Sequence, residues 1–287
     1  MSSWLIRNPT SAQLGDKNNN MYVTVELCGG FANRVFQILA AQHFAEKTKR
    51  RFVLVDKFIL DNSHQPLDDT MRELDILFKG LPMYVGEEKE WSPIVEEQYT
   101  YYTYNIELIH KHKGKNIVLK GYFQNELYFP RQIPSIDVKQ KINTYFLHLR
   151  FGDYLNTTHD VGLALYYRKA IQNILMNNQL STFIVFSNEP DKVDDYIQKE
   201  LQYPIRYTLS HAGTPLTVLK EMAECSGGIC ANSSLSYLGA YFQRKPRGKI
   251  FMPDIWMTIV PKKQMAGFFP PWATVYTIRD EPLGRRA

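Results

Sequence analysis

The segment with the clearest chemical signature is His148-Leu149-Arg150-Phe151-Gly152-Asp153-Tyr154, where a predicted buried strand ends in a loop. Side chains alternate along a strand, so His148 and Arg150 are expected on one face. A planar guanidinium can bind two phosphate oxygens at once, and the glycine lets the backbone approach a ligand closely. Asp153 could orient the guanidinium. The alternative is a surface Arg–Asp pair that caps the strand.

A second candidate anion site is Ala231-Asn232-Ser233-Ser234-Leu235-Ser236, where a predicted strand runs directly into a helix. Unpaired backbone N–H groups and the helix dipole converge at a helix amino terminus, which favours phosphate binding. Ordinary N-capping by Ser233 or Ser234 explains the same residues.

A glycine turn, Gly29-Gly30-Phe31-Ala32-Asn33-Arg34, follows the first predicted strand. It departs from the G-x-G-x-x-G pattern, and a glycine turn alone is weak evidence for phosphate binding. The two glycines could instead simply permit a tight connection between a strand and a helix.

The three motifs lie at strand ends in a chain that alternates strands with helices from residue 21 onward, which is typical of parallel sheets flanked by helices. Residues 57–115 are expected to be irregular with short helices. Such doubly wound folds bind ligands at the carboxyl ends of their strands. The predicted strands are 21–27, 51–55, 117–119, 145–149, 183–186, 228–231 and 250–252. The predicted helices are 33–47, 165–175, 191–201, 215–225 and 235–242.

The chain is expected to have four parts, since the proline-containing stretch from Pro130 to Asp137 has the composition of a linker. Residues 1–20 form a polar, flexible leader, and residues 261–287 form an irregular tail. Between them we predict an N-terminal, acceptor-side α/β domain at 21–140 and a C-terminal nucleotide-sugar-binding domain at 141–260.

Composition excludes several classes of protein. The 34 Lys and Arg against 29 Asp and Glu leave a net charge of only +5, and no basic stripe with interleaved aromatics indicates a nucleic-acid binder. The cysteines, Cys28, Cys225 and Cys230, lack the spacing of a zinc site or disulfide framework, so a reducing compartment is expected. With no membrane-spanning run and no secretory signal, we expect a soluble, cytoplasmic protein of a bacterium or a virus-infected host.

Taken in order, the motifs resemble those of the bacterial and viral α-1,2-fucosyltransferases (glycosyltransferase family 11). That family carries a G-G-x-x-N turn, an H-x-R-x-G-D-Y segment in mid-chain and an N-S-[ST]-x-S stretch near the end, and all three are present here. The resemblance runs from about Met21 to about Trp256. Further similar stretches are Gly121–Phe129, Tyr166–Ile171, Ile184–Glu189 and Gly239–Phe242.

The resemblance implies a GT-B-like α/β fold, with two Rossmann-like domains facing a central cleft. It also implies transfer of L-fucose from GDP-fucose to a glycan acceptor, as in a galactoside 2-α-L-fucosyltransferase, with inversion and without a metal or other cofactor. Arg150 would hold the diphosphate, while His148 and Asp153 shape its loop. The implied donor-binding residues are Gly29, Gly30, Asn33, Arg34, Arg150, Ser187, Asn232, Ser233, Ser234 and Ser236.

Some positions depart from the family pattern. Phe151 stands where the family often has a second arginine, and Arg34 could return that charge from the glycine turn. Leu163 and Leu165 replace acidic residues, and Tyr237-Leu238 replaces a tryptophan pair. The sequence therefore predicts phosphate binding more firmly than the identity of the sugar or the acceptor.

Transfer from a nucleoside diphosphate requires stabilisation of the charge that develops on the leaving phosphates. We assign this task to Arg150, Arg34 and the helix terminus. Candidate bases, chosen by residue type alone, are His159, His43 and Glu26. Two alternatives stay open: a transferase of the same fold that uses another nucleotide sugar, and a catalytically silent nucleotide- or glycan-binding module.

Overall fold

The computed structural model describes residues 21–61, 65–96, 104–105, 107–110, 112, 114–243, 248–265 and 267–278. The predicted leader at 1–20 and the end of the predicted tail, from residue 279, lie outside these ranges. The chain divides into two compact units, Met1–Ser135 and Ile136–Ala287. Their boundary falls inside the predicted linker and five residues before the predicted domain limit at 140.

The first unit contains a four-stranded, all-parallel sheet with strand order β2-β1-β4-β3. Its strands are β1 (Tyr22–Val25), β2 (Arg51–Phe52), β3 (Ser92–Val95) and β4 (Ile117–Lys120). Its helices are α1 (Phe31–Thr48), α2 (Leu67–Phe78) and α3 (Glu107–His110). The predicted strand–turn–helix–strand opening is confirmed.

Helices α2 and α3 and strand β3 of the first unit lie in residues 57–115, for which we expected irregular structure and short helices. Helix α2 buries Thr70, Met71, Leu74 and Leu77 along one face, a helical spacing that the acidic residues around it obscure. Strand β3 contains Pro93, which argues against a central strand, but β3 is the edge strand of its sheet. An edge strand tolerates proline because one row of its N–H groups has no strand to bond.

The second unit contains a six-stranded, all-parallel sheet with strand order β10-β9-β8-β5-β6-β7. Its strands are β5 (Thr144–Leu149), β6 (Thr182–Ser187), β7 (Tyr207–Leu209), β8 (Gly227–Ile229), β9 (Ile250–Pro253) and β10 (Ala273–Tyr276). Strands β7 and β10 were not predicted, and β10 lies in the expected irregular tail. Counted within the unit, the order is 6-5-4-1-2-3, which is that of the Rossmann fold.

The helices of the second unit are α4 (Ala164–Asn177), α5 (Val193–Tyr196), α6 (Pro215–Glu224) and α7 (Ser234–Tyr241). A π turn at Ile197–Leu201 extends α5, so the predicted helix at 191–201 is present in irregular form. The core of the unit packs α4 against the sheet, with Tyr166 and Tyr167 buried beside Leu147 and Leu149.

The predicted α/β class with two Rossmann-like units is thus confirmed. In the described part of the chain, every helix is too short or too polar to cross a bilayer.

Candidate functional site

The order of strands in the second unit reverses between its central neighbours, β5 and β8. Open parallel sheets bind ligands in the crevice outside the carboxyl ends of strands at such a point. Strand β5 ends at Leu149, directly before Arg150, and β8 ends shortly before Asn232. Tyr145 pairs with Gly227 and Leu147 with Ile229, so the continued register brings the two motifs side by side.

Arg150 is held on two sides. Its Nη2 donates to Asp153 Oδ2 at 2.7 Å, and its Cζ lies 5.1 Å from the ring centroid of Tyr154. The side chain is 23% exposed. Within the described part of the chain, its buried Nε has no hydrogen-bond partner. The guanidinium is therefore fixed in place and keeps donor capacity for an anion.

The loop that carries Arg150 is held by Asn188, which follows β6. Asn188 Oδ1 accepts from the N–H of Phe151 at 2.9 Å, and its Nδ2 donates to the Phe151 carbonyl at 3.1 Å. Gly152 adopts φ +57°, and a Cβ there would lie 3.1 Å from Asn188 Nδ2. Ser187, a predicted donor ligand, accepts from the N–H of Glu189 at 3.0 Å and so stabilises the adjoining turn.

Sequence reasoning did not select Asn188 or Tyr154 as site residues. Asn188 could have been found from its position just beyond a predicted buried strand. Tyr154 could have been found from its position in the arginine motif.

His148 is buried in β5 and 3% exposed. Burial, reinforced by the charge of Arg150, lowers the pKa of His148 to about 3. The imidazole is therefore neutral near pH 7 and adds no positive charge to the phosphate site. Its main-chain carbonyl accepts from Tyr167 Oη at 2.7 Å, which anchors β5 on α4.

The side chains at the start of α7 mainly bond the backbone. Ser233 is the N-cap, and its Oγ accepts from the N–H of Leu235 at 3.4 Å. Ser236 Oγ donates to the carbonyls of Ala231 and Ser233 at 3.4 and 3.2 Å. Ser234, the first helical residue, is half-buried. What this end offers an anion is therefore chiefly the dipole and the backbone N–H groups of the first turn.

Asn232 is also buried, and its Nδ2 donates to the carbonyls of His159 and Trp256 at 2.9 and 2.8 Å. Its own carbonyl accepts from Tyr154 Oη at 3.3 Å. Tyr154 thereby links the arginine motif to the serine motif, and Asn232 fixes the loop that carries His159.

A cavity of about 190 Å³ opens beside Arg150. Rings line part of it: Phe151 packs on Tyr196 with centroids 5.0 Å apart, and Tyr154 packs on His159 at 4.8 Å. The lining residues are Arg150, Phe151, Tyr154, Leu155, His159, Asp160, Val161, Gly162, Leu163, Ala164, Tyr167, Tyr196, Glu200 and Asn232.

Among the three base candidates, His159 lines this cavity. Burial lowers the pKa of His159, while the charges of Asp153 and Arg150 act in opposite directions. The lowered pKa favours the neutral imidazole, which is the form that can accept a proton.

The other two base candidates belong to the first unit. His43 is buried, with Nδ1 3.1 Å from the Phe129 carbonyl and its ring packed on Tyr104 and Tyr128. This is the setting of a structural histidine. Glu26 follows β1 and pairs with Lys120 at 2.9 Å.

Arg34 takes a different place from the predicted one. It lies on the inward face of α1 and is fully buried. Its Nε donates to the Gly29 carbonyl at 2.9 Å and its Nη2 to the Leu60 carbonyl at 2.6 Å. Burial lowers its pKa. The guanidinium predicted to return charge to the donor phosphates instead ties two loops of the first unit together.

The glycine turn itself is closely packed. Gly29 has φ +71°, and a Cβ there would lie 2.8 Å from Asn33 Nδ2. Gly30 is the N-cap residue of α1. Asn33 Oδ1 accepts from Gln124 Nε2 at 2.7 Å, so the turn bonds to the segment that follows β4.

Comparisons with known proteins were made for sequence and for structure. No family model matches the chain. In sequence, the chain is 24% identical to the O-antigen biosynthesis glycosyltransferase WbnK of Escherichia coli, over 80% of this chain and 93% of that protein.

Among solved structures, fucosyltransferase NodZ from Bradyrhizobium matches with a TM-score of 0.48 and 13% identity, covering 78% of this chain and 92% of that one. POFUT1 in complex with GDP-fucose matches with a TM-score of 0.44 and 11% identity, covering 79% and 94%. WbnK, which this sequence resembles along four fifths of its length, is by its name a glycosyltransferase.

Proposed function

We propose that the protein is a glycosyltransferase whose nucleoside-diphosphate sugar binds in the crevice between β5 and β8. The observation that carries this proposal is the position of Arg150, a fixed and partly exposed guanidinium at the end of β5, beside the segment that leads into α7. Two motifs separated by about eighty residues supply complementary halves of an anion site. A surface Arg–Asp pair would not require the second half.

We further propose that the donor is GDP-fucose and that the acceptor is a hydroxyl of a glycan, in the manner of an inverting galactoside α-1,2-fucosyltransferase. The order and spacing of the family motifs support this finer proposal, and the glycosyltransferase similarity over most of the chain supports its general part. The aromatic walls of the cavity beside Arg150 offer a surface for a planar base or a sugar ring.

In this mechanism the bond between the anomeric carbon and the donor's β-phosphate oxygen breaks as the acceptor hydroxyl attacks from the opposite side. Negative charge grows on the departing diphosphate. We assign the stabilisation of that charge to Arg150 and the N–H groups of α7, since the folded loop and helix hold them in place before the reaction. Neutral His159 is the side chain of this unit that we propose takes the acceptor proton.

Replacement of Arg150 tests the proposal. We expect Arg150→Ala to lower kcat/KM for transfer by at least about a hundredfold, the usual effect of losing one preorganised charge-stabilising donor. The fold should persist, because the contacts of the side chain within the described part of the chain are with Asp153 and Tyr154 of its own loop. The exposed Arg72, paired with Asp69 at 2.9 Å, supplies the control Arg72→Ala. Transfer at the wild-type rate by Arg150→Ala would refute the mechanism.

A transferase of the same fold with another donor is the second candidate. The observation that favours it is Phe151, which stands in place of the family's second arginine and packs on Tyr196. Thermal-shift measurements with GDP, UDP and ADP separate the donors, because a ligand that binds only the native state raises Tm. A GDP-specific shift without turnover of any sugar would instead indicate a binding module.

A further inference from the structure

The turn that follows β4 has an unusual backbone. Gly121 has φ +150°, and Phe123 has φ +49° although it is not a glycine. Phe123 is fully buried, packed on Phe44 and Tyr128. The left-handed region is unfavourable for a side chain with a Cβ, so the surrounding contacts must impose this conformation. Such outliers are concentrated at functional sites.

Glu96, directly after β3, is the side chain that holds the turn. Its Oε2 accepts from the backbone N–H of Tyr122 at 2.8 Å and of Phe123 at 2.9 Å. The carboxyl packs so closely on Gly121 that a Cβ there would lie 2.5 Å from Glu96 Cβ. Glu96 is 6% exposed. A buried carboxyl placed to accept two successive N–H groups fixes the direction of Tyr122 and of the residues beyond it.

The same turn is bonded to the glycine turn after β1. Gln37 Nε2 donates to the Gly121 carbonyl at 3.0 Å, and Gln124 Nε2 donates to Asn33 Oδ1 at 2.7 Å. A Cβ on Gly29 would lie 3.4 Å from the ring of Tyr122. Two segments that the sequence marked separately therefore form one cluster at the carboxyl edge of the sheet, where parallel sheets bind ligands.

The chemistry of this cluster suits a neutral, hydroxyl-rich ligand. Asn33 and Gln124 are amides and Tyr122 is a phenol, which are groups that bond hydroxyls, and an aromatic ring can lie against a sugar face. The nearby cations are not presented to a ligand: Arg34 is fully buried, with Nε and Nη2 bonded to backbone carbonyls, and Lys120 pairs with Glu26. The cluster therefore offers little to a phosphate.

We infer that Glu96 is a positioning residue for acceptor binding: it fixes the 121–124 turn so that the half-buried Asn33 and Tyr122 meet the hydroxyls of a galactoside, with the buried Gln124 holding Asn33 in place. This inference rests on the proposed function for the identity of the ligand. Glu96 acts through the turn, since its carboxyl is buried against Gly121.

The test uses two disruptive variants and one conservative variant. Glu96→Leu removes both hydrogen bonds that the carboxyl accepts, and Glu96→Asp withdraws the carboxylate from the turn. Glu96→Gln keeps an oxygen that can accept these bonds. The exposed Glu107→Gln in the same unit is the control. Lactose and N-acetyllactosamine are the probes. We expect the Leu and Asp variants to raise the acceptor KM about fivefold, the effect of losing roughly one neutral hydrogen bond between the glycan and the displaced turn. The donor KM should stay unchanged, and Glu96→Gln should restore most of the loss.

Two outcomes would overturn the inference. One is a folded Asp or Leu variant with the wild-type acceptor KM. The other is a fall in apparent kcat that follows the fraction of folded protein while both KM values stay at the wild-type level. If the Leu variant does not fold, the acceptor KM of the Asp variant decides between these outcomes.

Calorimetric binding of the two glycans to the full-length chain keeps this test separate from that of the proposed function. Glycan binding that depends on Glu96, without a GDP-induced rise in Tm, supports the inference and refutes the proposed donor. If GDP raises Tm but the Glu96 variants bind the glycans as the wild type does, the inference alone is refuted. The same holds if GDP raises Tm and the wild type binds neither glycan.

Discussion

Two arginines show how far residue type predicts a role. Arg34 and Arg150 both lie shortly after a predicted strand, near a glycine, and both were assigned to phosphate. Arg150 lies in a loop with room beside it, whereas Arg34 lies on a helical face that packs inward and bonds two carbonyls. The different environments of the two arginines depend on which face of α1 is covered by the rest of the unit, and the local sequence does not show which face this is.

Tyr154 is expected to orient Arg150 mainly through its ring. Tyr154→Phe keeps the contact at 5.1 Å and loses the bond to the Asn232 carbonyl, so GDP affinity should fall less than about threefold. Tyr154→Ala loses the cation–π contact as well, worth about 1 kcal/mol, so affinity should fall about tenfold. Calorimetric titration with GDP measures both. Equal losses in the two variants would assign the effect to the hydroxyl.

Glu96 is expected to make stability depend on pH. Burial outweighs its two backbone hydrogen bonds and raises its pKa to about 7 from 4.5. Between these values the folded state binds more protons than the unfolded state, so the free energy of unfolding falls as pH rises. Between about pH 5 and about pH 8, the free energy of unfolding measured in urea should fall by about 3 kcal/mol more in the wild type than in Glu96→Gln. The same dependence of this free energy on pH in the two proteins would contradict the prediction.

At the scale of elements, hydrophobic periodicity was sufficient to predict strands β5, β6 and β8 and helices α4 and α7, which carry the candidate site of the second unit. The strands that were missed have weaker local signals: β3 holds a proline at a sheet edge, β7 has three residues, and β10 is an edge strand beside β9. These strands exist because a neighbouring strand offers hydrogen bonds, which a local pattern does not show.

The central strand β8 depends on glycine for its packing. A Cβ on Gly228 would lie 2.1 Å from the Phe146 ring of β5, inside any allowed contact. We expect Gly228→Ala to destabilise the protein by about 1–3 kcal/mol or more, as overpacking does. Phe146→Leu in the same chain should recover part of the loss. Gly213→Ala, with no atom within 4 Å, is the control in thermal unfolding. Equal Tm values for the two glycine variants would refute the packing argument.

At the scale of the whole molecule, each unit places its sequence motifs at the carboxyl edge of a parallel sheet. In the second unit the edge carries a cation and a helix terminus, and in the first it carries neutral amides and a phenol. Under the proposed function, the second edge would bind the charged donor and the first the uncharged acceptor.

We predict that sugar transfer by this protein does not depend on a metal ion. Because we assign the leaving-group charge to Arg150 and the α7 amides, transfer should proceed at the same rate in excess EDTA. The rate of GDP release with GDP-fucose and lactose measures this, and added Mg²⁺ or Mn²⁺ is the comparison. A rate that collapses in EDTA and returns with one cation would show that a metal carries the charge instead.

The sequence by itself determined where the polar motifs and the regular elements lie along the chain: Arg150 at a strand end, a serine-rich helix start at Ser233, and alternating strands and helices. These are local properties, set by side-chain periodicity and by the backbone groups that every helix end leaves unpaired. Only the tertiary structure decided that β5 lies beside β8, that Arg34 is buried, and that Glu96 reaches the turn after β4. Strand order and burial depend on contacts between segments far apart in sequence, whose free energies a local pattern does not encode.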